Sequence, residues 1–307
     1  MTHTLSMLKT LIEAYNENEN KIEIRTNEPM SRHTTFRIGG SAALYLIPQT
    51  MDALSALCGM IKETGARYYI LGNGSNLLFD DNGFDGAVIS MSALTKIRTE
   101  ETSICAEAGA QLMNVCKHSR DAGLAGMEFA YGIPGSVGGA VYMNAGAYGG
   151  ETAHILREST YLDLDDPTFH TIPLSEHAYG YRESIYKHKN FIILTATFDL
   201  HPGNPDEIGA MMSDYMNRRI TKQPLDYPSA GSVFKRYPGR YTGQMIEEAG
   251  LKGYAIGGAQ VSEKHAGFII NRGGATAADV LALINHIKAV ILETFGCALE
   301  CEMIYVK

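Results

Sequence analysis

The sequence predicts an α+β protein with two domains, and three observations support this prediction. The chain has 307 residues, of which 45% are hydrophobic and 20% are charged. This composition is ordinary for a globular protein and excludes a disordered or coiled-coil chain. The length is typical of two domains of about 150 residues each. Strand-like and helix-like segments alternate in the first half, and a turn-forming sequence near residue 200 separates this half from the rest.

Residues 1–200 are predicted to form the first domain. Short apolar runs bounded by glycine, proline or polar residues are typical of strands, and they occur at residues 43–47, 68–71, 87–91, 104–106 and 191–200. Apolar residues three and four positions apart predict helices between these runs. One helix covers residues 54–61 and is followed by Gly65, and another covers residues 112–119 and ends at Gly123.

The second domain is predicted over residues 201–307, and it begins with the turn-forming sequence His-Pro-Gly-Asn-Pro. An amphipathic helix is expected around residues 208–215. A longer helical pattern covers residues 280–291, with Thr276 as its N-cap and Gly296 at its end. A final strand is predicted at residues 298–306, and it is a candidate to pack back onto the first domain.

Charge and cysteine content narrow the possible functions. The chain has 34 acidic and 26 basic residues, a net charge of -8, whereas nucleic-acid-binding proteins usually carry a basic face. No apolar run reaches the roughly 18 residues of a membrane span, and the N-terminus becomes charged too early for a signal peptide. The five cysteines include no CxxC pair, which indicates free thiols. We therefore expect a cytoplasmic protein without nucleic-acid, membrane or metal binding.

Two glycine-rich segments suggest a binding site for an extended anion. The first, residues 72–76, reads Gly-Asn-Gly-Ser-Asn, and the second, residues 132–150, has seven glycines in 19 residues. Glycines let successive backbone N–H groups converge on an anion. Neither segment matches a common nucleotide motif, because Leu77 occupies the third glycine position of GxGxxG and no GxxxxGK[ST] occurs. Together they predict a cradle for a ligand such as a dinucleotide pyrophosphate.

Further short motifs accompany these segments. They are Arg-Ile-Gly-Gly at 37–40, Tyr-Gly-Tyr-Arg-Glu-Ser at 179–184, Arg-Arg-x-x-Lys-Gln-Pro at 218–224, Ala-Gly-Ser-Val-Phe-Lys at 230–235 and Leu-Glu-Cys-Glu at 299–302. In this order, together with the glycine-rich segments, they resemble the UDP-N-acetylenolpyruvoylglucosamine reductases over residues 30–305. The resemblance implies a two-part FAD-binding domain of the vanillyl-alcohol-oxidase/PCMH type, with a subdomain boundary near residue 85. An α/β substrate-binding domain is implied to follow.

The same resemblance implies a cytoplasmic flavoprotein oxidoreductase of peptidoglycan precursor synthesis. Such an enzyme holds FAD non-covalently and uses NADPH as co-substrate. It reduces UDP-N-acetylglucosamine enolpyruvate to UDP-N-acetylmuramate, with hydride delivered to C3 and a proton to C2. The resemblance also implies a monomer of the shorter subclass, which lacks an inserted tyrosine-bearing loop.

Three residues match catalytic positions of that family. Arg182 is implied to bind the substrate carboxylate, because arginine presents a planar fork of donors to a carboxylate. Ser232 is implied to donate the proton to C2. Glu302 matches the second glutamate of a Leu-Glu-Pro-Glu pattern, in which Cys301 replaces the proline, and is implied to stabilise the enediolate as a hydrogen-bond donor.

The resemblance also implies two sets of binding residues. The FAD-binding set is Arg37, Gly39, Gly72, Asn73, Gly74, Ser75, Asn76, Leu77, Gly132, Ile133, Pro134, Gly135, Ser136, Gly138, Gly139, Asn144, Gly146 and Arg219. The substrate-binding set is Tyr181, Lys222, Lys235 and His265.

Two alternatives remain open at this point. Another FAD-dependent oxidase or dehydrogenase of the same fold would share the glycine-rich segments but lack the set of Arg182, Ser232 and Glu302. A non-catalytic flavin-binding regulator would bind flavin without turnover. The absorption spectrum of the purified protein, before and after NADPH is added, separates these possibilities.

Overall fold

The computed structural model describes residues 2–17, 19, 21–165 and 168–307. The α-helices in this part of the chain are α1 (His3–Tyr15), α2 (Met51–Thr64), α3 (Leu112–Asp121), α4 (Val137–Met143), α5 (Pro205–Lys222), α6 (Thr242–Glu248) and α7 (Ala277–Phe295). The strands are β1 (Ile22–Pro29), β2 (Ser41–Pro48), β3 (Tyr68–Leu71), β4 (Leu77–Phe79), β5 (Phe84–Ser90), β6 (Ile97–Glu100), β7 (Ser103–Glu107), β8 (Leu124–Ala125), β9 (Gly146–Ala147), β10 (Gly150–Glu151), β11 (Leu156–Asp163), β12 (Phe169–Pro173), β13 (Phe191–Asp199), β14 (His201–Pro202), β15 (Ser229–Ser232), β16 (Ala255–Ile256), β17 (Ala259–Val261), β18 (Phe268–Asn271) and β19 (Ile304–Val306).

The chain divides into two compact units, and each unit is assembled from several segments. The first consists of Met1–Thr26, Leu44–Asn73 and Gly86–Asn217. The second consists of Asn27–Ala43, Gly74–Asp85 and Arg218–Lys307. The division into sequence domains at 1–200 and 201–307 stays a prediction.

The first unit contains a five-stranded sheet in the order β12-β11-β13-β7-β6. Its neighbouring strands run antiparallel. Strand β13 lies in the middle and is mostly buried, which explains its long apolar sequence. Strands β3 and β5 pair in parallel within a sheet of order β1-β2-β5-β3, and helix α2 supplies the connection between β2 and β3.

The second unit is centred on helix α7. Thr276 and Asp279 form a capping box at its start, and Gly296 ends it with a φ of +66°. The helix buries one face within an apolar core that includes Val280, Ile284, Ile287 and Ile291. A four-stranded antiparallel sheet of order β15-β18-β17-β16 belongs to this unit, and β19 runs parallel to β4.

The structure confirms the α+β fold and several of the predicted elements. Strand β3 has the predicted bounds, and helix α7 has the predicted cap and end. The prediction of one strand over residues 298–306 is wrong, since only β19 is a strand there. The reason is that the N–H groups of Glu302 and Met303 both donate to the Val233 carbonyl, at 2.8 and 3.4 Å, so the chain bends before β19 begins. Helix α1 and strands β1, β11 and β12 were not predicted.

All five cysteines are free thiols, as the sequence predicts. Burial raises the pKa of Cys58 and of Cys116 to about 12, so both side chains behave as small hydrophobic groups. In the described part of the chain, no helix combines the length and the apolar character that crossing a membrane requires.

Candidate functional site

The two glycine-rich segments contact each other in the first unit. The Asn73 side-chain amide donates a hydrogen bond to the Pro134 carbonyl at 2.6 Å. Ser136 is buried, and its Oγ accepts a hydrogen bond from the Gly139 N–H at 3.3 Å, which caps helix α4. A Cβ atom on Gly72 would lie 2.4 Å from Ser136 Oγ. Glycine at position 72 is therefore required for this close approach.

A pocket of about 230 Å³ lies beside this contact and includes Gly72 and Asn73 in its lining. Its other lining residues are Ser92, Thr95, Ile97, Gly109, Ala110, Gln111 and Asn114. All of the polar side chains in this set are neutral. Hydroxyl and amide groups suit the ribose and adenine of a dinucleotide, whose polar atoms are uncharged. The close glycine contact and this lining therefore fit FAD.

The end of the second glycine-rich segment contacts the predicted catalytic arginine. Arg182 donates from Nη1 to the Asn144 carbonyl at 3.3 Å and from Nη2 to the Gly146 carbonyl at 3.4 Å. The Asn144 side-chain amide donates to the Gly180 carbonyl at 3.1 Å. Tyr181 is exposed, and the centre of its ring lies 5.0 Å from the Arg182 guanidinium carbon. Two predicted FAD-binding positions and one predicted substrate-binding residue therefore surround Arg182.

Other predicted FAD-binding positions of the first unit contribute through their backbone hydrogen bonds and backbone conformation. The Gly135 carbonyl accepts from the Leu112 N–H at 3.0 Å, and the Gly138 N–H donates to the Ala108 carbonyl at 2.8 Å. Gly132 has a φ of +86°, which favours glycine. Ile133 donates its N–H to the Ala130 carbonyl at 3.0 Å. These bonds hold the segment that precedes and opens helix α4.

In the second unit, Ser232 and Glu302 lie on neighbouring stretches of chain. Glu302 donates its N–H to the carbonyl of Val233, the residue after Ser232, at 2.8 Å. The Asn76 side-chain amide donates to the Glu302 carbonyl at 3.0 Å. Ser232 is exposed and Glu302 is half-buried. The structure therefore brings two predicted catalytic residues and one predicted FAD-binding residue together.

His265 lies beside Ser232 in a slot formed by two glycines. A Cβ on Gly267 would lie 3.0 Å from His265 Cε1 and 3.3 Å from Ser232 Oγ, and one on Gly243 would lie 3.3 Å from the same Cε1. The Gly267 N–H donates to His265 Nδ1 at 3.1 Å, so the ring carries its proton on Nε2 when neutral. Burial lowers the pKa of His265. The residue is thus a neutral donor through Nε2.

Two predicted substrate-binding lysines differ in their surroundings. Lys235 Nζ lies 3.1 Å from a carboxylate oxygen of Glu300. Exposed ion pairs of this kind are worth about 0–1 kcal/mol, so a phosphate can compete for the lysine. Lys222 is exposed at the end of helix α5, whereas Arg219, one turn earlier, is buried and donates to Gln223 Oε1 at 3.5 Å.

The remaining predicted FAD-binding positions of the second unit hold unusual backbone conformations. Arg37 has a φ of +55° and Gly39 a φ of +132°. A Cβ on Gly39 would lie 2.6 Å from the Cβ of Phe79, and one on Gly74 would lie 2.1 Å from the His33 carbonyl oxygen. Ser75 and Leu77 follow Gly74, and Leu77 opens β4. The glycines therefore let residues 33–39 and residues 74–79 pack closely together.

Sequence reasoning missed three residues that shape these sites. Glu300 pairs with Lys235, and Gly243 completes the slot for the His265 ring. Lys187 donates to the Arg182 carbonyl at 2.5 Å. The position of Glu300 in the Leu-Glu-Cys-Glu motif was an available signal for the first, but the other two contacts carry no sequence pattern.

Comparisons with known proteins show which families and structures this chain resembles. An FAD-binding domain family matches residues 42–171, and the C-terminal domain family of UDP-N-acetylenolpyruvoylglucosamine reductase matches residues 223–306. A reductase of that name from Clostridium perfringens is 44% identical over 303 residues, which cover 99% of this chain and 98% of that protein. One from Caldanaerobacter subterraneus is 46% identical over 297 residues, with 97% and 98% covered. The crystal structure of the Thermus caldophilus reductase has a TM-score of 0.78 and 33% identity, and it covers 93% of this chain and 99% of that one.

The fold and the matched FAD-binding domain define a flavoprotein. This confirms the predicted FAD-binding domain of the vanillyl-alcohol-oxidase/PCMH type. The near full-length matches then give the particular family, and the chain belongs to the UDP-N-acetylenolpyruvoylglucosamine reductases.

Proposed function

We propose that the protein reduces UDP-N-acetylglucosamine enolpyruvate to UDP-N-acetylmuramate with NADPH and FAD, as a cytoplasmic monomer in peptidoglycan precursor synthesis. The observation that carries this proposal is 44% identity over 99% of the chain to a reductase of this kind. FAD, when bound, carries a hydride from NADPH to C3 of the enolpyruvyl group. The residues of the chain then have to bind the substrate, stabilise the charge that develops and supply a proton to C2.

Arg182 is suited to bind the substrate carboxylate. A guanidinium has five N–H donors in a fixed plane, and the two bonds that Arg182 makes to carbonyl oxygens are long, at 3.3 and 3.4 Å. A carboxylate forms shorter, charge-assisted bonds with such a group. When hydride reaches C3, negative charge grows on this carboxylate as an enediolate, so the interaction with Arg182 strengthens in the transition state.

Ser232 is proposed to protonate C2. Ser232 is exposed, and the hydrogen bond that its hydroxyl donates to the Phe234 carbonyl is long, at 3.4 Å. The hydroxyl can therefore turn toward a substrate without losing a strong bond. Its proton goes to C2, and solvent then returns a proton to the serine oxygen. Glu302 is proposed to stabilise the enediolate as a hydrogen-bond donor.

The binding residues are proposed to hold the nucleotide part of the substrate. Lys222 and Lys235 supply positive charge for its diphosphate. His265 donates from Nε2 because its Nδ1 is already bonded to the Gly267 N–H. Tyr181 adds an exposed phenol side chain whose ring lies beside the Arg182 guanidinium.

Turnover of the purified protein tests this proposal. Beyond the single equivalent that reduces the bound FAD, the FAD-loaded protein should consume NADPH only when the enolpyruvyl substrate is present, and it should form an equal amount of UDP-N-acetylmuramate. FAD should pass through a filter after denaturation, because it is held non-covalently. Oxidation of a sugar with oxygen and without NADPH would instead support an oxidase of the same fold. Bound FAD without turnover on either substrate would support a regulator.

A further inference from the structure

The backbone at Arg182 has a conformation that needs support. Arg182 has a φ of +56°, and a residue other than glycine is strained in this left-handed region. It lies in a tight turn in which Gly180 and Glu183 exchange two backbone hydrogen bonds of 3.2 Å. A turn of this kind holds its shape only where its surroundings fix it.

Lys187 supplies such support at the arginine itself. Its ammonium donates to the Arg182 carbonyl at 2.5 Å, and a charged donor makes a hydrogen bond roughly twice as strong as a neutral one. The same ammonium lies 5.8 Å from the centre of the Tyr142 ring. Lys187 therefore joins the Arg182 backbone to the last turn of helix α4, which carries Tyr142.

A second contact fixes the base of this arrangement. Ser184 is buried, and its Oγ donates to the Tyr142 carbonyl at 2.7 Å. The Lys187 N–H donates to the Ser184 carbonyl at 3.2 Å. The backbone of Lys187 thus belongs to a segment that is hydrogen-bonded to Tyr142, and its ammonium group bonds to the turn that contains Arg182. Glu183, the acidic neighbour in the turn, is engaged by His188 at 2.8 Å.

We propose that Lys187 is a positioning residue, which acts through Arg182 by fixing the turn that presents the guanidinium to the substrate carboxylate. This inference rests on the proposed role of Arg182. The lysine is not required to touch the substrate. Its removal leaves the Arg182 carbonyl without its charged donor, and the guanidinium loses its fixed direction. A displacement of about 1 Å at a reacting group can slow a reaction about 100-fold.

The test compares Lys187→Met, Lys187→Arg and a matched control, Lys189→Met, which removes an exposed lysine from the same loop. NADPH is first added to each FAD-loaded protein, and the loss of flavin absorbance (bleaching) is followed. The enolpyruvyl substrate is then added, and the return of flavin absorbance is followed. In Lys187→Met we expect bleaching within about twofold of the wild-type rate. Its absorbance return at saturating substrate should be about 10- to 100-fold slower. Lys187→Arg should recover most of this loss, and Lys189→Met should match the wild type.

A double variant separates positioning from an independent role. If Lys187 acts only through Arg182, the variant Arg182→Met/Lys187→Met should be no slower in absorbance return than Arg182→Met alone. The inference would be overturned if the double variant were slower than Arg182→Met by the full factor that Lys187→Met shows alone. A wild-type rate of absorbance return in Lys187→Met would also overturn it. Equal slowing of both half-reactions would also overturn it and would assign Lys187 a structural role. Failure of the substrate to restore absorbance even in the wild type would instead contradict the proposed function itself.

Discussion

Replacement of Gly72 by alanine tests the contact between the two glycine-rich segments. The new Cβ would lie 2.4 Å from Ser136 Oγ and 3.5 Å from Ser136 Cβ. The first distance is a severe overlap and the second is ordinary contact. Ser136 is 3% exposed, and its hydroxyl is engaged as the cap of helix α4. The hydroxyl can therefore give way only by leaving the Gly139 N–H.

The size of the effect follows from two opposing contributions. Loss of a serine N-cap costs about 1 kcal/mol, and overpacking of a buried site costs about 1–3 kcal/mol. Alanine in place of glycine gains about 0.4–1 kcal/mol by restricting the unfolded chain. The cost of the overlap exceeds the gain in the wild-type background, so we expect Gly72→Ala to lower the free energy of unfolding by about 1–3 kcal/mol. In a Ser136→Ala background the overlapping oxygen is gone, and the same substitution should stabilise by about 0.4–1 kcal/mol.

Urea unfolding of the wild type, Gly72→Ala, Ser136→Ala and the double variant, all at one saturating FAD concentration, measures this reversal of sign. Gly59→Ala is the matched control, because nothing lies within 4 Å of its new Cβ and the residue is within helix α2. It should stabilise both backgrounds equally, by about 0.5–1 kcal/mol. Equal destabilisation by Gly72→Ala with and without the Ser136 hydroxyl would refute the explanation.

Three further predictions concern titratable residues. Glu302→Gln should retain more steady-state activity than Glu302→Ala, because an amide can still donate to the enediolate; equal losses would argue against the donor role. His265→Gln should bind substrate more tightly than His265→Ala in a KM comparison, since glutamine can accept from Gly267 and donate to the ligand. Burial lowers the pKa of His177 and of His265 below 6.5, so the unfolded chain binds more protons. Stability should be complete above about pH 6.5 and fall below it, by at most about 1.4 kcal/mol per pH unit for each histidine. His177→Phe should show a shallower decline in urea unfolding, and an unchanged slope would contradict this explanation.

Local signals explain what could be predicted from the sequence. Thr276 and Gly296 mark the ends of helix α7 because capping and left-handed termination depend on a few neighbouring residues. The order of the glycine-rich and polar motifs was sufficient to indicate the family. The prediction of a strand at 298–306 was wrong because the chain bends where Glu302 and Met303 donate to the carbonyl of Val233, a residue distant in the sequence.

The parts of the site that could not be predicted are contacts between distant segments. The contact between Gly72 and Ser136 joins residues far apart in the chain, and each residue alone is compatible with an ordinary turn. The slot for His265 needs Gly243 and Gly267 to meet around one ring. The hydrogen bond from Lys187 to the Arg182 carbonyl likewise has no periodic sequence pattern, because nothing in the sequence around Lys187 distinguishes it from a lysine that points into solvent.

The central claim is that Ser232 acts only in the second half of the reaction, and stopped-flow absorbance of Ser232→Ala tests it most directly. Bleaching of the flavin by NADPH requires no proton from Ser232, so its rate should stay near that of the wild type. The return of absorbance with the enolpyruvyl substrate should slow roughly 10²- to 10⁴-fold, the usual contribution of a positioned general acid. Ser229→Ala, in the same strand β15, is the control and should leave both rates unchanged. Equal slowing of both half-reactions in Ser232→Ala, or no slowing of the second, would contradict the assignment of the proton donor.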